Sequence, residues 1–118
     1  MKSKLLTFIL FLIATFMVHA QNKSEIKIKT SAQCGMCKER IEKALAYEKG
    51  IYSSNLDLKT KEVTVVYNPQ KTSPDKIRLA ISKVGYQADD LKADPFAYEE
   101  LPPCCKLPDD KNHQEHQN

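Results

Sequence analysis

Two strand–helix–strand units in series predict an α+β sandwich of βαββαβ order followed by a short C-terminal extension. Three features of the chain carry that expectation. Glu25 to Thr30 alternates apolar and polar residues, the period of a strand with one face buried, and Glu62 to Tyr67 sets Val63, Val65 and Tyr67 on one face with β-branched residues throughout. Ile77, Ala80, Ile81 and Val84 recur at i, i+3, i+4 and i+7, the stripe of a helix lying on a core. Gly50 and Gly85 stand where the two helical patterns end, and glycine readily takes the left-handed turn that stops a helix.

In chain order, the first strand sets Ile26, Ile28 and Thr30 on one face and Glu25, Lys27 and Lys29 on the other. Ser31 to Met36 is small, polar and turn-prone. From Cys37 the apolar positions Ile41, Ala44 and Leu45 keep helical spacing until Glu48-Lys49-Gly50. Ile51 to Leu58 reads as a second strand, weakened by Ser53, Ser54 and Asn55, and Asp57 to Lys61 as a polar connection. Val63, Val65 and Tyr67 line one face of the third strand, whose β-branched residues suit a pleated surface. Ser73 caps the second helix and Pro74 takes its first position, where a missing amide costs nothing. Tyr86 to Asp89 is long enough for a short fourth strand, and Tyr47 and Tyr52 are expected to pack. Two right-handed crossovers folded into one antiparallel sheet give the ferredoxin-like arrangement. It sets the loop before the first helix and Gly85-Tyr86 at the same end, so Tyr86 should neighbour that loop.

Lys2 and Lys4, the apolar stretch Leu5 to Val18 and then Val18-His19-Ala20 read as a secretory signal peptide over residues 1–20. At roughly 14 residues the stretch falls short of the about 20 that span a membrane. Gln21, in place of a cysteine, leaves a lipid anchor nothing to attach to. The expectation is an exported, periplasmic protein with one small domain over residues 21–90. An extension over 91–107 carries Phe96 and Tyr98 on a short helix begun by Asp94-Pro95, both expected to dock on the domain. The tail over 108–118 is polar, without the apolar surface needed to order itself. The chain has 18 basic and 15 acidic residues, and without Lys2 and Lys4 the balance is close to neutral and interspersed. That excludes the basic stripe of a nucleic-acid binder, and a monomer is expected.

The densest chemistry is Cys34-Gly35-Met36-Cys37, at a loop-to-helix junction. Two thiols three positions apart there can point at one soft ion. The free amides and positive end of the helix favour the thiolate, which is the ligand form. The pair alone leaves metal binding, redox exchange and a structural disulfide open, although a Cys34–Cys37 disulfide closes too small a loop to stabilise much. Two thiolates with no neighbouring His or carboxylate suit Cu(I), Hg(II) and similar thiophilic ions rather than Mg(II) or Ca(II). Zn(II) or Cd(II) would need Cys104 or Cys105 as well, to approach the usual four ligands. Met36 is expected to face solvent or pack rather than act as a thioether ligand, and Lys38 to raise the thiolate population a little. No nucleophile–base pair, phosphate loop or paired carboxylates argue for an enzyme.

From about Lys23 to Asp89 the chain resembles the heavy-metal-associated domain family. The resemblance is carried by Cys34-x-x-Cys37, Arg40-Ile41-Glu42-Lys43-Ala44-Leu45, Val63-Thr64-Val65-Val66-Tyr67 and Ile77 to Tyr86, closing in Val84-Gly85-Tyr86. That family includes cytosolic copper chaperones, N-terminal modules of metal-pumping ATPases and the periplasmic mercury-binding protein. The resemblance implies that one soft metal ion binds between Cys34 and Cys37 and passes to a partner of similar fold. A membrane metal transporter or efflux component is the partner it suggests, and Tyr86 matches the aromatic that bacterial members place beside the site. Ser31 and Ala32 stand where the family usually has Gly-Met, so the metal loop is supported differently here.

The family pattern ends near Asp89 and says nothing of Cys104, Cys105, His113 or His116. About 15 residues separate Asp89 from Cys104. At about 3.3 Å per extended residue and 1.5 Å per helical one, they can return along the sandwich. Two placements stay open. The extension folds back and brings one or both thiols to Cys34 and Cys37, as further ligands or gating disulfides; or Cys104 and Cys105 form a separate surface pair with a local redox role. His113 and His116 are expected in a solvated terminus. The leading function is to bind Cu(I) or Hg(II) and transfer or sequester it outside the cytoplasm. The second is a periplasmic thiol–disulfide exchange protein, disfavoured by the absence of Trp before Cys34, by Met36 where such sites often have Pro, and by the element order.

Overall fold

The structure, a computed structural model, describes residues 2–16 and 22–108. The expected cleavage site Val18-His19-Ala20, Gln21, and His113 and His116 lie outside the described residues. The apolar N-terminal stretch forms helix α1 (Lys2–Phe16), with Leu5, Leu6, Phe8 and Ile9 exposed. Among the described residues no helix is long and apolar enough to cross a membrane.

Then follow β1 (Ser24–Lys29), α2 (Gly35–Ala46), β2 (Ile51–Asp57), β3 (Glu62–Tyr67) and α3 (Pro74–Lys83). The sheet has the order β1-β3-β2 and is antiparallel throughout. Ile26 faces Val65, and Val63 lies between Ile28 and Leu56, so alternate residues of three strands share one face. Against that face α2 sets Cys37, Ile41 and Leu45, one turn apart each, and α3 sets Ile77, Ala80 and Ile81. Burying one such aliphatic side chain is worth about 1.5–3 kcal/mol, and a single shared core therefore holds both helices on the sheet. This is the ferredoxin-like α+β sandwich. Helix α3 begins as its residues dictate: Ser73 Oγ accepts the Lys76 N–H at 3.3 Å and Pro74 comes first.

The fourth strand is the main departure. In place of a ladder there is one bridge, Thr30 to Ala88, on the free edge of β1. Asp89 stops the pairing. Its N–H donates to the Lys29 carbonyl at 2.8 Å, but its side-chain carboxylate, not a backbone carbonyl, accepts the Lys29 N–H at 2.9 Å. Its backbone is left-handed, with φ of 51°, a conformation Asp tolerates better than most residues. Ala88 and Leu91 then exchange both backbone hydrogen bonds across Asp89-Asp90, which turns the chain away before a strand can grow.

Three aromatic residues expected to pack do not. Tyr47 is 82 % exposed because α2 buries its last side chain at Leu45 and ends one residue later. Tyr52 lies in a bulge of β2, between Ile51 and Ser53, and is exposed. In the extension, α4 (Pro95–Glu99) is capped by Asp94, whose carboxylate accepts the Ala97 N–H at 3.1 Å. Residues two apart on a helix face opposite ways. Tyr98 therefore packs against the core while Phe96 is exposed.

Gly85 is where the extension meets the domain. Its φ is 100°, and a Cβ there would lie 2.9 Å from the Ala97 carbonyl oxygen. Ser82 holds the return: its carbonyl accepts the Asp94 N–H at 3.0 Å, and its hydroxyl donates to the Lys92 carbonyl at 2.7 Å. Leu101 and Cys105 complete the attachment by joining the core.

Candidate metal centre

A buried threonine shapes the loop between β1 and α2. Thr30 Oγ1 donates to the Lys61 carbonyl at 2.9 Å and accepts the Ala32 N–H at 3.2 Å. This draws Ala32 fully out of solvent beneath the loop, while Ser31 Oγ accepts the Gln87 N–H at 2.9 Å and ties the loop to the segment after α3. Cys34 follows as the N-cap of α2, in extended conformation. Its sulfur faces the Cys37 N–H without closing a cap hydrogen bond. Three positions on, Cys37 points into the core and is fully buried.

The extension delivers two further sulfurs. Pro103–Cys105 forms a turn of 3-10 helix packed beside α2. Cys34 Sγ lies 3.3 Å from Cys37 Sγ, 3.3 Å from Cys104 Sγ and 3.6 Å from Cys105 Sγ, and the last two are 3.9 Å apart. All four are free thiols. Of the two placements left open by the sequence, the chain adopts the fold-back. Cys105 is buried and Cys104 exposed, so Cys34 is the hub between an inner pair of sulfurs and an outer one.

Burial alone would raise the Cys34 thiol, but the Cys37 backbone N–H and the thiols of Cys104, Cys37 and Cys105 outweigh it. They bring Cys34 from 9.0 down to about 7, in keeping with a cysteine at a helix N-terminus. Cys104 is pushed up, first by its hydrogen bond with Cys34. Cys105 is pushed up chiefly by burial, then by Cys37. Tyr86 is fully buried beside Cys105 and Cys37, and among the described residues its hydroxyl closes no hydrogen bond. Burial first, and those two sulfurs next, push its ionisation far above the usual tyrosine range. Tyr86 thus keeps an O–H whose nearest use is donation to a sulfur anion.

The structure also places two neighbours of the thiols that the sequence singles out. Met36 is half exposed. Lys38, expected to favour the thiolate, is fully engaged elsewhere: its Nζ lies 2.6 Å from Glu42 Oε1, 3.0 Å from Asn55 Oδ1 and 2.9 Å from the Leu56 carbonyl. The short charged partner on the next turn captures it. Ala32 is part of the altered loop support that the sequence shows, whereas Thr30 and Leu101 are not legible there as parts of the site. Leu101 read as the end of a short helix, and only its burial shows that it anchors the thiol-bearing turn.

Soft sulfur donors, one of them acidic, with an unpartnered phenol beside them fit a thiophilic cation and offer no oxygen cage for Mg(II) or Ca(II). Among the described residues Cys34, Cys104 and Cys105 are the cluster of metal-ligating side chains close enough to share an ion, their sulfurs within 4.8 Å of one another.

The sequence model of the heavy-metal-associated domain matches residues 29–87. A copper-exporting P-type ATPase of Staphylococcus saprophyticus is 39% identical over 59 residues, which are 50% of this chain and 7% of that protein. The chain thus spans a small fraction of the length of the curated relatives it matches. The structure of the CopZ metallochaperone superposes with a TM-score of 0.53 at 29% identity, over 55% of this chain and 98% of that one. The water-soluble region of the P-type ATPase CopA from Bacillus subtilis superposes with a TM-score of 0.55 at 35% identity, over 58% of this chain and 46% of that one. The family match ends at residue 87, before Cys104 and Cys105.

Proposed function

Because the chain belongs to the heavy-metal-associated domain family, a family of metal-binding domains and not of enzymes, we propose that it carries Cu(I), with Hg(II) the second choice, outside the cytoplasm. The ion is cargo, taken up between Cys34 and Cys37 and surrendered by ligand exchange. One observation carries this reading: the two sulfurs stand 3.3 Å apart at the N-terminus of α2. Cys34 sheds its proton near neutral pH, and the N-terminal amides of α2 stabilise the anion. Cys37, locked in the core, fixes the geometry. An incoming thiolate from a partner reaches the site on the Cys34 side and attaches before the protein's own sulfur leaves. The likeness to copper-exporting ATPases and to a metallochaperone supports Cu(I) and a membrane transporter or efflux component as the receiving partner. Lys2, Lys4 and the apolar helix α1 support export to the periplasm. The working form is a monomer.

The test is an anaerobic competition titration of reduced protein with Cu(I) against a chromophoric chelator. One equivalent is expected to bind, and Cys34→Ser/Cys37→Ser is expected to lose at least about 100-fold in affinity, as removal of thiolate ligands from a soft ion demands. Equal capture by the double variant would overturn the reading.

A further inference from the structure

The extension supplies what a two-cysteine loop lacks. We propose that Cys104 and Cys105 complete one site with Cys34 and Cys37, holding a thiophilic d10 cation by three or four sulfurs rather than two. This rests on the reading that Cys34 and Cys37 bind metal, and adds the ligand number and the class of ion favoured. The sulfur spacings carry it. Metal–sulfur bonds of about 2.3 Å put sulfurs about 3.8 Å apart in a tetrahedron and about 4.6 Å apart across a linear pair. The observed separations are 3.3, 3.3, 3.6 and 3.9 Å. These four lie within about half an ångström of the tetrahedral edge; the sulfurs of Cys34, Cys104 and Cys105 are all within 4.8 Å of one another, and Cys37 meets this group through Cys34.

The second observation is Tyr86. A buried hydroxyl that closes no hydrogen bond is costly to keep, and this one, without a partner among the described residues, lies beside Cys37 and Cys105. Once those sulfurs are metal-bound thiolates, it becomes a donor with acceptors. The third is that the thiol-bearing turn is held by contacts of its own. Leu101 is buried before it, and after it the Leu107 N–H donates to Tyr98 Oη at 2.9 Å. Lys106 packs 5.9 Å from the centre of the Tyr98 ring with Glu99 at 3.6 Å. Both ends of Pro103–Cys105 are thus tied down by contacts of the extension itself. Such a site favours Zn(II), Cd(II) or three-coordinate Cu(I) over ions that prefer two opposed ligands. It also retains its ion until the turn lifts from Cys34.

The experiment loads full-length reduced protein with Cd(II) alone, then measures thiolate-to-cadmium charge-transfer absorbance per bound ion and the sulfur coordination number by X-ray absorption. The wild type is expected to show three or four sulfurs. Cys104→Ser, at an exposed position where the fold is undisturbed, is expected to lose one, and Cys104→Ser/Cys105→Ser to fall to two, with absorbance lowered about twofold because the band scales with the thiolates bound. Two sulfurs and equal absorbance in the wild type and both variants would overturn this inference alone. A wild type that captures neither Cd(II) nor Cu(I) would overturn the proposed function with it.

Discussion

Truncating Leu101 should release the two thiols of the extension, Cys104 and Cys105, while leaving the domain folded. Leu101 is 6 % exposed and belongs to the core cluster together with Cys105. Leu101→Ala removes three buried carbons, each worth about 0.8 kcal/mol, and leaves a cavity that the neighbours only partly fill. The loss is therefore about 2–4 kcal/mol. Because the extension reaches the core through few buried side chains, most of that loss falls on its own opening equilibrium. At about 1.4 kcal/mol per factor of ten, the population with the turn lifted rises about 30- to 700-fold. The assay is alkylation of the reduced, metal-free protein, read cysteine by cysteine by mass spectrometry, where reclosing outruns labelling and the rate reports the open population. Cys105 should be labelled faster by that factor, while Cys37, held by α2 against the sheet, keeps its wild-type rate. If Cys37 and Cys105 accelerate together, domain and extension open as one unit and the reasoning fails. An unchanged Cys105 rate would refute it equally.

Two further outcomes follow from the electrostatics. Alkylation of Cys34 in the wild type should reach half its maximal rate at about pH 7 rather than 9.0. The sign is that of a depressed pKa: the folded state favours the thiolate, so this group's contribution to metal-free stability is fully present above pH 9.0 and is lost as pH falls through about 7. A midpoint near 9.0 would mean that the neighbouring groups do not act on Cys34. In Asp89 burial pulls the carboxyl up, but the Arg78 guanidinium at 2.9 Å and the Lys29 N–H hold it below its ordinary 3.8. Asp89→Asn should destabilise the fold by about 1 kcal/mol in chemical denaturation at neutral pH, discounted for a half-exposed pair. The difference from wild type should shrink as pH drops below 3.8 through the depressed value, and a difference that persists in acid would count against the ion pair as its cause.

Local chemistry made much of the fold readable in advance. Val63, Val65 and Tyr67 stand at every second position and are the buried face of β3 as expected, because a strand's period of two is written in its own residues. Ser73-Pro74 and Gly85 start and stop α3 for equally local reasons. The fourth strand expected over Tyr86 to Asp89 does not grow because the Asp89 side chain, in place of a backbone carbonyl, takes the Lys29 amide, a competition that the strand pattern does not register. Tyr47 and Phe96 are exposed against expectation because apolar character states a preference for burial without saying which face of a helix meets the core. Lys38 was assigned to the thiols because it is adjacent in sequence, whereas Glu42 and β2 surround it in space.

The cysteine pair at the start of α2, and with it the choice of a soft cation, was determined by the sequence alone: donor softness and helix-end polarity depend on residue type and spacing within four positions. How many sulfurs stand together at that place was decided by tertiary structure. Cys104 lies 70 residues from Cys34, and their meeting depends on Gly85 allowing close approach, on Ser82 holding the returning chain and on Leu101 finding the core. A contact of that kind is set by the summed packing of distant segments, and no local pattern encodes it.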